Sequence, residues 1–167
     1  MDNTTNTNWE IECSFAPAIT AQINGCDYRG SWRMTTYVDS SALLKRYVKE
    51  PDSEYATSLV DADEVLATSW LTVVEVRRSL SKLLKGSDLG RANQVAQEDM
   101  DKMALVLPDA TTWLAAAEIG AALNVRSLDA LHLACAQRLR IPSIRFVTFD
   151  IRQAIAARAL GFSVVGA

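Results

Sequence analysis

The chain has 167 residues, the length of one domain, with 17 basic and 20 acidic side chains, a formal charge of −3 and a pI of about 5.2. This acidic balance excludes a whole-surface attraction to nucleic acid, so any contact with RNA or DNA has to be local. Three cysteines without C-x-x-C spacing and a single histidine argue against a disulfide framework and a zinc site. We therefore expect a cytoplasmic protein, and no apolar run is long enough for a membrane span.

Residues 1–33 are rich in Asn and Thr and show neither helical nor strand periodicity. We interpret them as an N-terminal extension that is poorly ordered or results from an overcalled translation start, because Met34 comes directly before the first predicted strand. A binding role for this segment stays open. Residues 34–167 are then the folded domain.

Beyond Met34, short β-branched runs alternate with amphipathic segments. This alternation predicts a central parallel sheet of about five strands with helices on both faces, joined by right-handed crossovers. The predicted strands are 35–38, 64–68, 104–107, 145–148 and 162–165, and the predicted helices are 40–50, 52–62, 70–85, 88–103, 111–123, 128–139 and 151–160.

Local signals set the limits and the buried faces of these helices. Ser40 or Ser41 is expected to cap the first helix, and Gly86 to end the third. Side chains expected to face the core are Tyr55, Trp70, Leu71, Val74, Val76, Leu80, Leu83, Leu84 and Trp113.

Four acidic residues occur at equivalent places in this pattern. Asp39 and Asp150 follow the first and fourth strands, Asp129 is in the first turn of a helix, and Glu75 is on the helix after the second strand. The carboxyl ends of parallel strands meet at one rim of the sheet, where ligands bind. Carboxylates gathered there repel one another unless a divalent cation neutralises them, and Mg²⁺ or Mn²⁺ suits oxygen ligands. Such a cation can activate water and stabilise the charge on a phosphodiester.

Each of these residues also has a structural interpretation. Asp39 and Asp150 can be helix caps, Asp129 can be favoured by the helix dipole, and Glu75 can pair with Arg77 or Arg78. His132, three residues after Asp129, is interpreted as a buried core histidine rather than a ligand.

Four segments of the sequence resemble the successive motifs of PIN-domain ribonucleases, and most of all those of VapC toxins from type II toxin–antitoxin pairs. They are residues 37–45, 72–80, 126–134 and 147–150. The resemblance covers residues 34–167 and implies a three-layer α/β/α domain that cleaves RNA as a metal-dependent endoribonuclease. It also implies a homodimer and an antitoxin whose C-terminal segment blocks the site.

The resemblance assigns roles to individual residues. Asp39, Glu75, Asp129 and Asp150 become the catalytic carboxylates that hold Mg²⁺ or Mn²⁺, and Ser41 or Thr148 would orient them or a bound water. Candidates for phosphate contacts are Lys45, Arg46, Arg77, Arg78, Arg126 and Arg152.

Other classes of protein fit less well. A phosphoacceptor receiver domain shows adjacent acids after its first strand, and a haloacid-dehalogenase-type phosphatase has a second Asp where Ser41 stands. A PIN-like interaction module without catalysis would be suggested by loss of one of the four acids, and none is lost. A PIN nuclease of RNA processing or decay without a toxin role stays open.

We expect a protein that begins at Met34 to be as stable as the full chain. Residues 1–33 lack the periodic apolar positions that docking on the domain would need. Thermal unfolding of the two proteins under the same conditions tests this. A melting temperature several degrees lower for the shorter protein would show that the extension packs on the domain.

Overall fold

The computed structural model describes residues 35–142 and 144–167, so the prediction for the N-terminal extension lies outside the described residues. A five-stranded sheet forms the centre of the domain, and each of its strand pairs is parallel, as predicted. The strand order is β3-β2-β1-β4-β5. The strands are β1 (Thr35–Val38), β2 (Val65–Ser69), β3 (Ala104–Val106), β4 (Arg145–Thr148) and β5 (Ser163–Gly166).

Helices cover the sheet on both sides, which gives the predicted three layers. Among the described residues, no helix has both the length and the apolar character that crossing a membrane requires. The helices are α1 (Ser40–Tyr47), α2 (Ser53–Val60), α3 (Trp70–Leu83), α4 (Gly86–Met100), α5 (Ala110–Leu123), α6 (Ser127–Arg138) and α7 (Ile151–Ala159).

The central strand β1 contributes side chains to two separate cores. Tyr37 packs with Phe146 of β4 in a cluster that includes residues of α5 and α6. Val38 points to the other face and packs in a cluster with residues of α1, α3 and α4. Successive strand residues face opposite sides of a sheet, so a strand in the middle of three layers has to be apolar on both.

Two residues predicted to bound helices have other roles. Asp39, and not Ser40 or Ser41, is the N-cap of α1, because its carboxylate accepts a hydrogen bond from the N–H group of Ser41. Gly86 does not end α3 but begins α4, with a φ of +55° that glycine adopts without steric cost.

Several apolar side chains expected in the core are exposed. In α3, Thr72, Val76 and Leu80 recur every four residues and are buried, whereas Val74 lies on the opposite side and is 62% exposed. The prediction assigned most of the large apolar side chains of this helix to the core, and the face that is buried in the structure is narrower. The other exposed residues of this set are Tyr55, Trp70, Leu83 and Trp113.

The last strand comes close to the end of β4 through a glycine. Gly166 has a φ of +109°, and a Cβ atom added there would be closer to the carbonyl oxygen of Thr148 than real Cβ atoms approach. We expect Gly166→Ala to lower the free energy of unfolding by at least about 1–2 kcal/mol, from the backbone strain alone.

Gly90→Ala is the matched control for this variant. Gly90 lies inside α4 and an added methyl group would meet no described atom within 4 Å. Alanine should stabilise the helix there by about 0.5–1 kcal/mol. Chemical denaturation of both variants is the measurement, and equal stability of Gly166→Ala and the wild type would show that β5 tolerates a side chain at this position.

Candidate metal centre

The carboxyl ends of β1, β2 and β4 lie side by side and bring the predicted site residues to one rim of the sheet. Asp39 follows β1, and its N–H group donates to the carbonyl of Val147 at 3.0 Å, which extends the β1–β4 ladder by one bond. Asp150 follows β4, and Glu75 is in the second turn of α3, the helix that begins directly after β2.

Asp39 is buried, with 4% of its surface exposed, and hydrogen bonds surround its carboxylate. The Ser41 N–H group and the Thr148 hydroxyl donate to Oδ2, at 3.1 and 3.2 Å. The side-chain amide of Gln153 donates to Oδ1 at 3.4 Å, and His132 Nε2 lies 3.4 Å from the same oxygen. A buried carboxylate needs such partners to offset its lost hydration. Asp39 is therefore both a helix cap and a member of the acidic cluster.

Ser41 and Thr148 connect the segments that follow β1 and β4 at this rim. The Ser41 hydroxyl accepts the Phe149 N–H group at 2.8 Å and lies 3.3 Å from the Thr148 hydroxyl. Thr148 also accepts the N–H group of Asp150 at 3.1 Å. These bonds hold the first residues after β4 against the start of α1. The two hydroxyls thus lie where they can orient the carboxylates.

Glu75 does not pair with Arg77 or Arg78 in the way the structural interpretation required. Its Oε2 lies 2.7 Å from His132 Nε2, while Arg77 donates to Gln97. His132 is buried, as expected, but its partners are the acids of the site, a role that the sequence interpretation missed. Burial lowers the pKa of His132, and the charges of Asp39, Glu75 and Asp129, with the Glu75 hydrogen bond, outweigh it and raise the pKa.

Asp129 is half-buried in the first turn of α6. Its Oδ2 atom is buried and has no hydrogen-bond partner among the described residues. Burial raises the pKa of this carboxyl, and the negative charges of Asp150 and Asp39 raise it further. A buried carboxylate oxygen without a donor is unusual and indicates that something else neutralises it.

Asp150 also has two roles, one for each oxygen of its carboxylate. Its Oδ1 caps α7 by accepting the N–H groups of Arg152 and Gln153, at 2.8 and 3.1 Å. Its Oδ2 lies 4.0 Å from the Arg126 guanidinium. The Oδ2 atom is thus free of the cap and faces the positive charge of Arg126.

The donor set fits a divalent cation. Ligand atoms of Asp39, Glu75 and His132 all lie within 4.8 Å of one another. Asp129 adds an unpartnered oxygen and a charge that its acidic neighbours repel. Mg²⁺ and Mn²⁺ prefer such oxygen-rich sites.

The basic candidates for phosphate contacts differ in their surroundings. Lys45 forms ion pairs with Glu50 and Asp52, and Arg46 with Asp61 and Asp99. Arg126 lies beside the cluster and is exposed. Arg77, Arg78 and Arg152 are exposed as well.

Comparison with known proteins places this geometry in a family. Residues 36–159 match the family model described as PIN domain. The chain is 35% identical over 132 residues to Ribonuclease VapC46 of Mycobacterium tuberculosis (strain ATCC 25618 / H37Rv), an alignment that covers 77% of this chain and 95% of the relative. It is 32% identical over 130 residues to Ribonuclease VapC47 of Mycobacterium tuberculosis (strain CDC 1551 / Oshkosh), with 75% and 92% covered.

Solved structures share the fold at lower identity. A toxin–antitoxin complex from Klebsiella pneumoniae matches with a TM-score of 0.60 and 15% identity, over 78% of this chain and 96% of that chain. VapBC2 from Rickettsia felis, bound to a DNA fragment from its promoter, matches with a TM-score of 0.57 and 17% identity, over 79% and 98%. The family match, the two relatives and the acidic rim agree, and the chain belongs to the PIN-domain family, among its VapC ribonucleases.

Proposed function

We propose that the protein is a metal-dependent endoribonuclease that hydrolyses RNA phosphodiester bonds and is the toxin of a toxin–antitoxin pair. The observation that carries this proposal is the acidic rim, where Asp129 presents a buried oxygen without a donor beside Asp39. The names of the relatives, ribonucleases of the VapC group, support the reaction.

The four carboxylates would hold the cation, and each is prepared differently. Asp39 is fixed by four neighbours, while Asp129 keeps an oxygen free. Asp150 and Glu75 are partly exposed. When bound, Mg²⁺ or Mn²⁺ would activate water and stabilise the charge that builds on the phosphodiester.

Substrate RNA has to be attracted locally, because the protein is acidic as a whole. Arg126 lies beside Asp150 and has an exposed side chain, so it is the residue best placed to contact a phosphate next to the one cleaved. Arg77, Arg78 and Arg152 would contact more distant phosphates. Lys45 and Arg46 are engaged by acidic partners and are weaker candidates.

An antitoxin partner is supported by the similar structures, which include a toxin–antitoxin complex and VapBC2. We further propose that the toxin is a cytoplasmic homodimer and that the antitoxin binds over the acidic rim. Induced expression of the wild type and of Asp39→Asn in a bacterial host tests the toxin role. Growth arrest by the wild type alone, relieved by the product of a neighbouring gene, is expected, and equal growth of both strains would favour an RNA-processing nuclease.

Asp39→Asn should lower metal-dependent RNA cleavage by at least about 100-fold, or 2.7 kcal/mol of transition-state stabilisation. Asparagine can keep the cap on α1 with its oxygen, but its amide then faces the donors of Gln153 and His132 and carries no charge. Cleavage of total RNA by the purified full chain, with and without Mg²⁺ or Mn²⁺ and with the cut ends mapped, is the measurement.

Asp109→Asn is the control for this loss. Asp109 caps α5 in a capping box and pairs with Arg138, but it is not part of the acidic cluster. If capping alone mattered, both variants would lose stability and keep activity. Retained cleavage in Asp39→Asn would contradict the proposed site.

Asp129→Asn should raise the melting temperature in a buffer with EDTA. The raised pKa of Asp129 means that the fold disfavours its ionised form, so a neutral amide removes an unfavourable charge. The same variant should lose most of the stabilisation that Mg²⁺ gives the wild type. Thermal unfolding with EDTA and with Mg²⁺ measures both effects. A lower melting temperature in EDTA would mean that the ionised carboxylate stabilises the fold.

A further inference from the structure

His132 is the single histidine of the chain and lies between carboxylates from two different elements. Its Nε2 atom is 2.7 Å from Glu75 Oε2 and 3.4 Å from Asp39 Oδ1. These distances suit either a further metal ligand or a hydrogen-bond donor. The two roles are exclusive, because a ligand needs the lone pair of Nε2 and a donor needs a proton there.

The opposite side of the ring decides between these roles. The hydroxyl of Tyr37 lies 3.0 Å from His132 Nδ1, and that of Ser69 lies 3.4 Å away. Tyr37 is completely buried, and the proton of a buried tyrosine hydroxyl needs an acceptor. The Nδ1 lone pair is that acceptor. The proton of a neutral imidazole is then on Nε2, where an ionised carboxylate offers only acceptors.

We propose that His132 is a positioning residue and not a metal ligand: its Nε2–H group donates to Glu75, beside Asp39, and holds the two carboxylates in place to receive the cation. This inference rests on the metal site of the proposed function. Glu75 has three rotatable side-chain bonds and is partly exposed, so it needs an external contact to fix its orientation. The Tyr37–His132–Glu75 chain supplies it from the core, as hydrogen bonds around other metal sites do.

The single histidine makes the protonation site directly observable. A two-bond ¹H–¹⁵N spectrum of the ¹⁵N-labelled full chain contains one imidazole system. We expect a proton on Nε2 and expect it to remain when Mg²⁺ is added to saturation. A ring protonated on both nitrogens also keeps the Nε2–H donor to Glu75, and Nδ1–H then donates to the Tyr37 hydroxyl instead of accepting from it. A proton on Nδ1 alone, or loss of the Nε2 proton on adding Mg²⁺, would overturn the proposal.

Two substitutions distinguish three roles of His132: a hydrogen-bond donor, a metal ligand and a side chain that only fills space. The amide nitrogen of His132→Gln can reach the position of Nε2 and donate, whereas His132→Leu fills space without a donor. We expect the Kd for Mn²⁺, measured by calorimetry on the full chain, to rise by roughly 10- to 100-fold in the leucine variant. Glutamine should recover most of this loss. Equal losses would indicate a ligand, and no loss in either variant would indicate a filler; both results overturn the proposal.

Tyr37→Phe keeps the experiment decisive if the leucine variant fails to fold. It retains the aromatic ring that stacks on Phe146, with centroids 5.2 Å apart, and removes only the hydroxyl that lies 3.0 Å from His132 Nδ1. We expect a folded protein with a shifted Nδ1 resonance and a weaker Mn²⁺ affinity. An unchanged resonance and affinity would show that the hydroxyl does not orient the ring.

RNA cleavage, assayed in parallel, keeps the two proposals distinguishable. A wild type that binds Mn²⁺ with the expected histidine state but leaves RNA intact contradicts the proposed function and not the role of His132. A wild type that cleaves RNA while Mg²⁺ removes the Nε2 proton contradicts the positioning role alone. A wild type that binds no Mn²⁺ contradicts both.

Discussion

Repulsion between carboxylates at one rim of the sheet is the constraint on which the rest of the site depends. Asp150 and Asp39 lie close enough to Asp129 for their negative charges to raise its pKa, in addition to the effect of burial. Each acid is therefore stabilised by a different neighbour: Asp39 by a ring of donors, Glu75 by His132 and Asp150 by a helix terminus. The Oδ2 atom of Asp129 has no such neighbour among the described residues. Under the proposed function, a bound divalent cation would supply the positive charge that offsets this repulsion.

A helix-capping role does not exclude membership of the acidic cluster, because the same carboxylates do both. Asp39 caps α1 directly after β1, and Asp150 caps α7 two residues after the end of β4. The N-terminus of a helix carries a partial positive charge, which favours an adjacent carboxylate. The connections from strand to helix thus deliver carboxylates to the rim and reduce their repulsion there. This explains how a partly buried cluster of acids is compatible with a stable fold.

Much of this arrangement could be predicted from the sequence, because Asp39 and Asp150 follow short β-branched and aromatic runs that are typical of buried strands. Limits of helices were harder, since Gly86 can either end one helix or begin the next. Val74 was expected in the core because it is apolar, but it lies on the side of α3 opposite the buried residues Thr72, Val76 and Leu80. The role of His132 was missed because its partners Glu75 and Tyr37 are 57 and 95 residues away in sequence. Its spacing of three from Asp129, on one helix face, was the available signal.

The order of the strands also bears on when a growing chain becomes active. Asp39 is near the start of the folded domain, but its partners Thr148 and Gln153 come 109 and 114 residues later. Strand β1 lies between β2 and β4, so its second edge stays unpaired until β4 has been translated. A ribosome therefore carries no assembled acidic rim until residues 145–153 have been made. Under the proposed ribonuclease function, this delay would leave the nascent chain inactive toward the message that encodes it.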